Sequence, residues 1–258
     1  MNAPAIRISK SVREQVSKEV WETRVNLAAC YRLMADFGMV EMVANHISAR
    51  VPGTHNEFLI NPYGMLYEEM TASSMIRIDL EGNVLFNATD YGVNQAGYVI
   101  HSAVHAARHD VDCIIHTHTL AGMAVSAMKC GILPIAQSSM RFSDIGYHDY
   151  EGVALRLEER DRLVQSLGNR EAMVLRNHGL LTVAPSIPEC FNNMYRLERA
   201  CQLQVTTLSC NTELQMPPDE VVKYSNHQMQ SGVRRRYGLL EWPAMLRKLD
   251  RKDPSYKN

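Results

Sequence analysis

A short apolar run that ends in two closely spaced histidines constrains this chain more than any other feature. The run Asp112-Cys113-Ile114-Ile115-His116-Thr117-His118 is typical of a buried β-strand, because it is short, apolar and partly β-branched. Side chains two positions apart on a strand point to the same face, so His116 and His118 should project side by side. Such a pair can bind one metal ion, although a histidine at a strand end is more often only hydrogen-bonded.

A third histidine follows a similar apolar run. Met173-Val174-Leu175 leads directly into Arg176-Asn177-His178-Gly179. A His-x-His pair combined with one distant histidine matches the three protein ligands of an open, catalytic type of metal site. We therefore predict that His116, His118 and His178 converge on a metal ion.

The composition narrows the class of protein. The 258 residues carry a net charge of −1, with 46% hydrophobic and 21% charged residues, which is typical of a globular protein and argues against a nucleic-acid partner. The chain has no apolar run of about 18 residues and no signal-like N-terminus, so we expect a cytoplasmic protein without a membrane partner. The cysteines form no C-x-x-C pair and are expected to be reduced core thiols.

Periodicity predicts the order of helices and strands. Ser11-Val12-Arg13-Glu14 has the form of a capping box and predicts a helix that continues to about Phe37. Alternating apolar residues predict strands at 46–51, at 58–60 and, as a hairpin, at 75–86.

The second half of the chain continues this alternation. Helices are predicted at 95–108, 120–129, 158–167 and 186–209, and strands at 172–178 and 180–183. Strands and helices interleave without a regular βαβ rhythm. This pattern predicts an α/β layered fold with a largely antiparallel sheet.

Three regions of the chain differ in character. We expect residues 1–19 to form an N-terminal extension and the start of the first helix, 20–210 the main domain, and 211–258 a C-terminal helical extension and tail. The cluster Arg234-Arg235-Arg236 in the extension is more typical of a solvated or ion-paired surface than of a nucleic-acid site.

Four stretches together resemble the class II aldolase/adducin family. They are Asn45 to Arg50, Leu59 to Gly64, the His116-Thr117-His118 strand with its preceding helix, and Arg176 to Gly179. Their order and spacing agree with the family over about residues 20–210. Within the family, three further stretches are most similar to the adducin head domain and its bacterial homologues: Val93 to Gly97, Cys130-Gly131 and Tyr147 to Tyr150.

The resemblance implies a three-layer α/β/α fold, usually assembled as a homotetramer. It also implies that His116, His118 and His178 hold a divalent ion, commonly zinc, with iron or manganese as alternatives. In the family's aldolases this ion acts as a Lewis acid on a carbonyl oxygen of a small-molecule substrate while a carbon–carbon bond breaks.

This chain departs from the aldolase pattern at the expected catalytic carboxylate. The family's aldolases have a Ser-Ser-Glu sequence where this chain has Gln95-Ala96-Gly97. Without the glutamate the usual proton carrier is missing, which argues against a standard phosphosugar aldolase. The segment around Ile135 to Ser138 also offers no tyrosine for the family's tyrosine acid.

Other polar residues could act at the site. His101, His105 and His109 share one face of the predicted helix, and His101 is the candidate catalytic residue. A second set comprises candidates for substrate binding whose alternative role is turn capping: Asn45, His46, Asn94 and Gln95.

Three functional hypotheses follow. The first is a metal-dependent aldolase-type lyase acting on a small hydroxy-carbonyl or hydroxy-acid. The second is a non-catalytic oligomeric module like the adducin head. The third is an iron-dependent oxygenase or decarboxylase on the same fold.

Overall fold

One mixed sheet of eight strands forms the centre of the molecule. The computed structural model describes residues 11–152, 158–230 and 232–258. The strand order is β4-β3-β2-β1-β5-β8-β7-β6, and every neighbouring pair is antiparallel except β6 and β7. The strands are β1 His46–Arg50, β2 Glu57–Ile60, β3 Ile76–Asp79, β4 Val84–Phe86, β5 Cys113–Thr117, β6 Gly146–His148, β7 Ala172–Leu175 and β8 Gly179–Ala184.

Helices cover both faces of this sheet. Helices α1 and α6 pack on one face, and α2 and α5 pack on the other. The predicted three-layer α/β/α fold with a largely antiparallel sheet is confirmed. The helices are α1 Lys18–Asp36, α2 Gln95–Ala107, α3 Leu120–Ser126, α4 Gln137–Met140, α5 Glu159–Leu167, α6 Ile187–Ser209, α7 Asp219–Gln228 and α8 Trp242–Lys252.

The central strand β5 divides its side chains between the two layers. Cys113 and Ile115 belong to the core beneath α1 and α6, whereas Ile114 belongs to the core beneath α2 and α5. Because the side-chain period of a strand is two, His116 faces the α2 layer together with Ile114. The sheet therefore presents His116 to the same layer that carries His101.

The first helix begins later than the sequence pattern predicted. Ser11 and Glu14 close a capping box on a separate 3₁₀ turn, Val12–Gln15, and the backbone is extended at Val16. Ser17 caps α1 by accepting a hydrogen bond from the Val20 amide. The prediction of one continuous helix from Ser11 was wrong, because a second capping residue six positions later starts the longer helix.

Other elements also differ from the predictions. Helix α3 ends at Ser126 rather than continuing to Lys129. The short strand β6, Gly146–His148, was not predicted. The expectation for the cysteines is only partly right, because all six are free but Cys130 and Cys210 are exposed.

Within the described ranges, no helix has the length and apolar content needed to cross a lipid bilayer.

Candidate metal centre

Three histidine side chains converge at one end of the central strands. The Nε2 atom of His118 lies 2.8 Å from Nε2 of His116 and 2.9 Å from Nε2 of His178. Among the described residues this is the only group of three or more His, Cys, Asp or Glu side chains with the spacing of a metal site. The structure thus brings together the three residues that the sequence singled out.

The strand-to-helix connection after β5 fixes His118. His116 lies within β5, opposite His46 of β1 and Leu181 of β8. His118 follows the strand directly, and Thr119 then caps α3 by accepting a hydrogen bond from the Gly122 amide. The backbone of His118 is therefore held between a strand end and a helix cap.

A tight turn between β7 and β8 fixes His178. Asn177 adopts a left-handed conformation with φ of 55°, which asparagine tolerates better than most residues. The Asn177 amide donates to the Ser126 carbonyl, and the Arg176 guanidinium donates to the Met128 carbonyl. These two hydrogen bonds attach the turn to the segment around α3, next to His118.

Hydrogen bonds to the far side of two rings determine where their protons lie. Nδ1 of His116 is 3.0 Å from the Leu180 carbonyl oxygen, and Nδ1 of His118 is 2.7 Å from Oε2 of Glu41. A carbonyl and an ionised carboxylate only accept hydrogen bonds, so both Nδ1 atoms carry the proton. In the neutral rings, Nε2 then presents a lone pair toward the centre of the cluster.

Burial favours the neutral form of the His116 and His178 rings. Burial lowers the pKa of His116 well below its ordinary value, and the neighbouring histidines lower this pKa further. Burial, with a smaller contribution from His118, lowers the pKa of His178 to about 4. Neutral imidazoles with inward lone pairs are the form in which histidine binds metal.

The donor set fits a divalent cation. Two lone pairs facing each other at 2.8 Å repel unless a cation lies between them. A tetrahedral zinc site with Zn–N bonds of about 2.0 Å spaces its nitrogens by about 3.3 Å, so the rings would need to separate by only about 0.4–0.5 Å. The carboxylate–histidine contact from Glu41 is the usual support for a metal-binding imidazole.

The imidazole of His46 fills the space beside Gly97. A Cβ atom built at Gly97 would lie 2.8 Å from Cδ2 and 2.9 Å from Cγ of His46. The His46 ring also packs against the His116 ring, with centroids 4.8 Å apart. There is therefore no room for a side chain at residue 97 as long as the His46 ring lies beside the cluster.

A chain of buried polar contacts leads away from His46. Its Nδ1 lies 2.7 Å from Nε2 of His101, and Nδ1 of His101 lies 2.5 Å from Oγ of Ser48. The same hydroxyl lies 2.8 Å from Nε2 of His105. His101 is fully buried behind His46, whereas His109 is exposed and outside this chain. Burial, with a smaller effect of Arg50, lowers the pKa of His105 to about 3.

The other candidate substrate-binding residues have different surroundings. Asn45 is buried; its Oδ1 accepts from the Glu41 amide, while its Nδ2 has no partner among the described residues. Asn94 caps α2 by accepting from the amides of Ala96 and Gly97. Gln95 is exposed.

Two residues near the cluster were not found from the sequence. Glu41 orients His118, but it lies in an irregular segment 77 residues away and matches no motif. The exposed ring of Tyr150 lies 6.1 Å from that of His178 and is the one tyrosine ring seen in contact with the cluster among the described residues. In the sequence, Tyr150 was singled out only as part of the stretch Tyr147 to Tyr150, which is similar to the adducin head domain.

Comparisons with known proteins show which family this chain belongs to. A sequence family described as "Class II Aldolase and Adducin N-terminal domain" matches residues 25–205. A provisionally named class 2 aldolase protein of Pseudomonas aeruginosa is 48% identical over 250 residues, covering 95% of this chain and 96% of its own length.

This chain is also similar to an adducin and to an aldolase of known structure. Mouse alpha-adducin is 47% identical over 188 residues, covering 72% of this chain but 26% of the adducin. The solved structure of L-fuculose 1-phosphate aldolase from Glaciozyma antarctica is 26% identical, with a TM-score of 0.82 and 93% of each chain covered.

Proposed function

This chain belongs to the class II aldolase and adducin family, and from that premise we propose that it is a metal-dependent carbon–carbon lyase of the aldolase type. Its substrate would be a small hydroxy-carbonyl or hydroxy-acid compound. The observation that carries the proposal is the convergence of three histidine Nε2 atoms, two of which present lone pairs because their Nδ1 atoms donate elsewhere.

His116, His118 and His178 would hold one divalent ion, zinc first, with iron or manganese as alternatives. Such an ion would supply Lewis-acid stabilisation of negative charge on a substrate oxygen. Glu41 would keep the Nδ1 proton on His118 and so keep its Nε2 available as a ligand.

His46 and Asn45 are the best-supported substrate contacts. The His46 ring lies against His116, and the Nδ2 group of Asn45 is a buried donor without a partner in the described part of the chain. Both could donate hydrogen bonds to oxygen atoms of a small substrate. Asn94 and Gln95 are weaker candidates, because Asn94 already caps α2 and Gln95 is exposed.

A standard phosphosugar aldolase is a poor match for this site. The usual glutamate is replaced by Gly97, and the His46 ring takes the volume that a side chain there would need. His101 touches His46 rather than the open side of the cluster, so we propose that it acts as a positioning residue through His46.

Metal analysis tests the site directly. We expect purified wild-type protein to contain about one divalent ion per chain and His118→Ala to contain little, since one of three ligands is lost. His109→Ala is the matched control, because His109 is exposed and outside the cluster. Equal metal content in the wild-type and His118→Ala proteins would refute the metal site.

Turnover separates the lyase from its rivals. A panel of hydroxy-carbonyl and hydroxy-acid compounds should release an aldehyde or ketone with wild-type protein and lose that activity in His118→Ala. No turnover on the panel, with metal still bound, would favour a non-catalytic module; similarity to alpha-adducin motivates that alternative. Oxygen uptake after addition of ferrous ion would identify an iron-dependent oxygenase or decarboxylase.

The proposal also covers the cellular location, the assembly and the partners of the protein. We expect a cytoplasmic homotetramer without a nucleic-acid or membrane partner. Light scattering coupled to size-exclusion chromatography tests the assembly, and a mass near 29 kDa would show a monomer.

A further inference from the structure

A small cavity lined by three arginines lies between the main domain and the C-terminal extension. Its volume is about 220 Å³, and its walls come from the α4 region, from α6 and from the segment between α7 and α8. Arg141, Arg196 and Arg234 line it together with Tyr237, Gln137 and Ser138. No aspartate or glutamate is among its described lining residues.

Arg141 is a rigid part of this cavity. It is only 8% exposed, and its Nη2 donates to Oδ1 of Asn193 at 2.5 Å and to Oε2 of Glu171 at 3.1 Å. Its Nε and Nη1 groups have no hydrogen-bond acceptor among the described residues. A guanidinium has five N–H donors, so Arg141 retains donors for a ligand after both contacts are made.

Arg234 differs from its two neighbours in the arginine cluster. Arg235 pairs with Glu241, and Arg236 pairs with Glu189. In the described part of the chain Arg234 has no ion pair or hydrogen bond, and its side chain lines the cavity instead. The cluster matches the predicted solvated or ion-paired surface, because Arg235 and Arg236 are ion-paired and Arg234 is exposed.

The Tyr237 ring contacts two of the three arginines that line the cavity. The guanidinium carbons of Arg141 and Arg196 lie 5.2 and 5.5 Å from its centroid. Nε of Arg196 donates to Asn192, and its terminal N–H groups donate to no described residue. All three guanidiniums line this cavity, and among the described residues only Arg141 pairs with a carboxylate, that of Glu171, so an anion in the cavity would offset the remaining positive charge.

From these contacts we propose that the cavity binds the phosphate group of a small phosphorylated compound. Arginine forks match phosphate oxygens bidentately, and a doubly charged group balances several guanidiniums better than a single carboxylate does. The cavity is smaller than a typical site for a drug-sized ligand, which fits a phosphate with a short organic group.

This site is independent of the metal centre. None of its lining residues belongs to the histidine cluster or forms a hydrogen bond with a described residue of that cluster. A bound phosphate would connect α4 and α6 with the extension that carries Arg234 and Tyr237. Binding should therefore stabilise the fold and hold the extension against the main domain.

Calorimetric titration with inorganic phosphate and with glycerol phosphate tests the proposal, in a buffer of constant ionic strength set with sodium chloride. We expect saturable binding of both to the wild-type chain. Arg234→Gln and Arg196→Gln should each weaken binding about tenfold, since each removes charge-assisted hydrogen bonds. Arg199→Gln is the matched control on α6, where Arg199 bonds Gln202 and no other described residue, and should bind within about twofold of wild type.

Three outcomes would overturn the proposal. These are no saturable binding of either ligand, wild-type affinity in both cavity variants, and equal heat from uncharged glycerol. Arg234 is exposed, so its variant should fold, and thermal unfolding verifies this. His118→Ala should bind phosphate as tightly as wild type does, which separates failure of this site from failure of the metal site.

Discussion

The substitution Gly97→Ala tests whether His46 really occupies the space beside the cluster. Gly97 is the third residue of α2, where alanine would ordinarily stabilise a helix by about 0.5–1 kcal/mol. Here the new Cβ would lie 2.8 Å from a ring that is 2% exposed and held by His101. Overpacking of this kind costs about 1–3 kcal/mol. We expect a net loss of about 1 kcal/mol in the free energy of unfolding.

A double-mutant cycle isolates the contact. The assay is urea unfolding, monitored by circular dichroism, of wild type, Gly97→Ala, His46→Ala and the double variant. Once the ring has been removed, Gly97→Ala should gain its ordinary helix contribution, so we expect a coupling energy of about 1.5–2 kcal/mol. Gly92→Ala is the control, because a Cβ at Gly92 would meet no atom within 4 Å.

Two results would refute this reasoning. One is a Gly97→Ala protein that is more stable than wild type by the ordinary glycine-to-alanine amount. The other is a coupling energy below about 0.5 kcal/mol, the size at which independent sites are additive. Either result would mean that His46 does not exclude a side chain at position 97, and a carboxylate there would no longer be sterically forbidden.

Three further outcomes are expected. Addition of zinc at a hundredfold excess over its dissociation constant should stabilise the wild-type fold by about 2.7 kcal/mol, reversibly with a chelator, but should not stabilise His118→Ala in thermal unfolding. The pKa of His105 is about 3 in the folded chain and ordinary when the chain is unfolded. The contribution of His105 to the free energy of unfolding is therefore complete above about pH 6.5 and is lost as the pH falls toward 3. His105→Gln should therefore reduce the slope of the free energy of unfolding against pH, between pH 6 and 4, by about 1.4 kcal/mol per pH unit, and an unchanged slope would contradict this. Gly179→Ala should destabilise the fold by about 3 kcal/mol or more in urea, because its Cβ would collide with the Thr117 carbonyl oxygen; a loss below about 0.5 kcal/mol would contradict this.

The histidine cluster was predictable because its determinants are local. His116 and His118 share a strand face through the two-residue period, and His178 follows a strand with a turn-forming asparagine. The hairpin of β3 and β4 was predictable for the same reason. In each case the residues that decide the structure lie within a few positions of one another.

The surroundings of the cluster were not predictable from such patterns. The contact of His46 with Gly97 depends on the register of β1 against β5, which pairs His46 with His116, and on how α2 crosses the sheet. Strand β6 has three residues and pairs with β7 in parallel across a long connection, so it has no local alternation to detect. Long-range pairing determines these features, and sequence periodicity does not record it.

The contacts from His46 through His101 and Ser48 to His105 couple the positions of the protons on these four side chains. Each neutral ring carries one proton, so the four groups can order their protons in only two ways, one directed toward His105 and one toward His46. Nδ1 of His105 is buried without a hydrogen-bond partner in the described chain, and a buried N–H left unpaired is costlier than an unused lone pair. The favoured order therefore keeps the proton of His105 on Nε2 and places that of His46 on Nε2. The opposite order would need His105 to donate from Nδ1 toward the Val111 carbonyl, the backbone group that raises the pKa of this ring. Nitrogen-15 chemical shifts of the three rings distinguish the two orders, and they should change together in Ser48→Ala, because the hydroxyl is the link through which the order is transmitted.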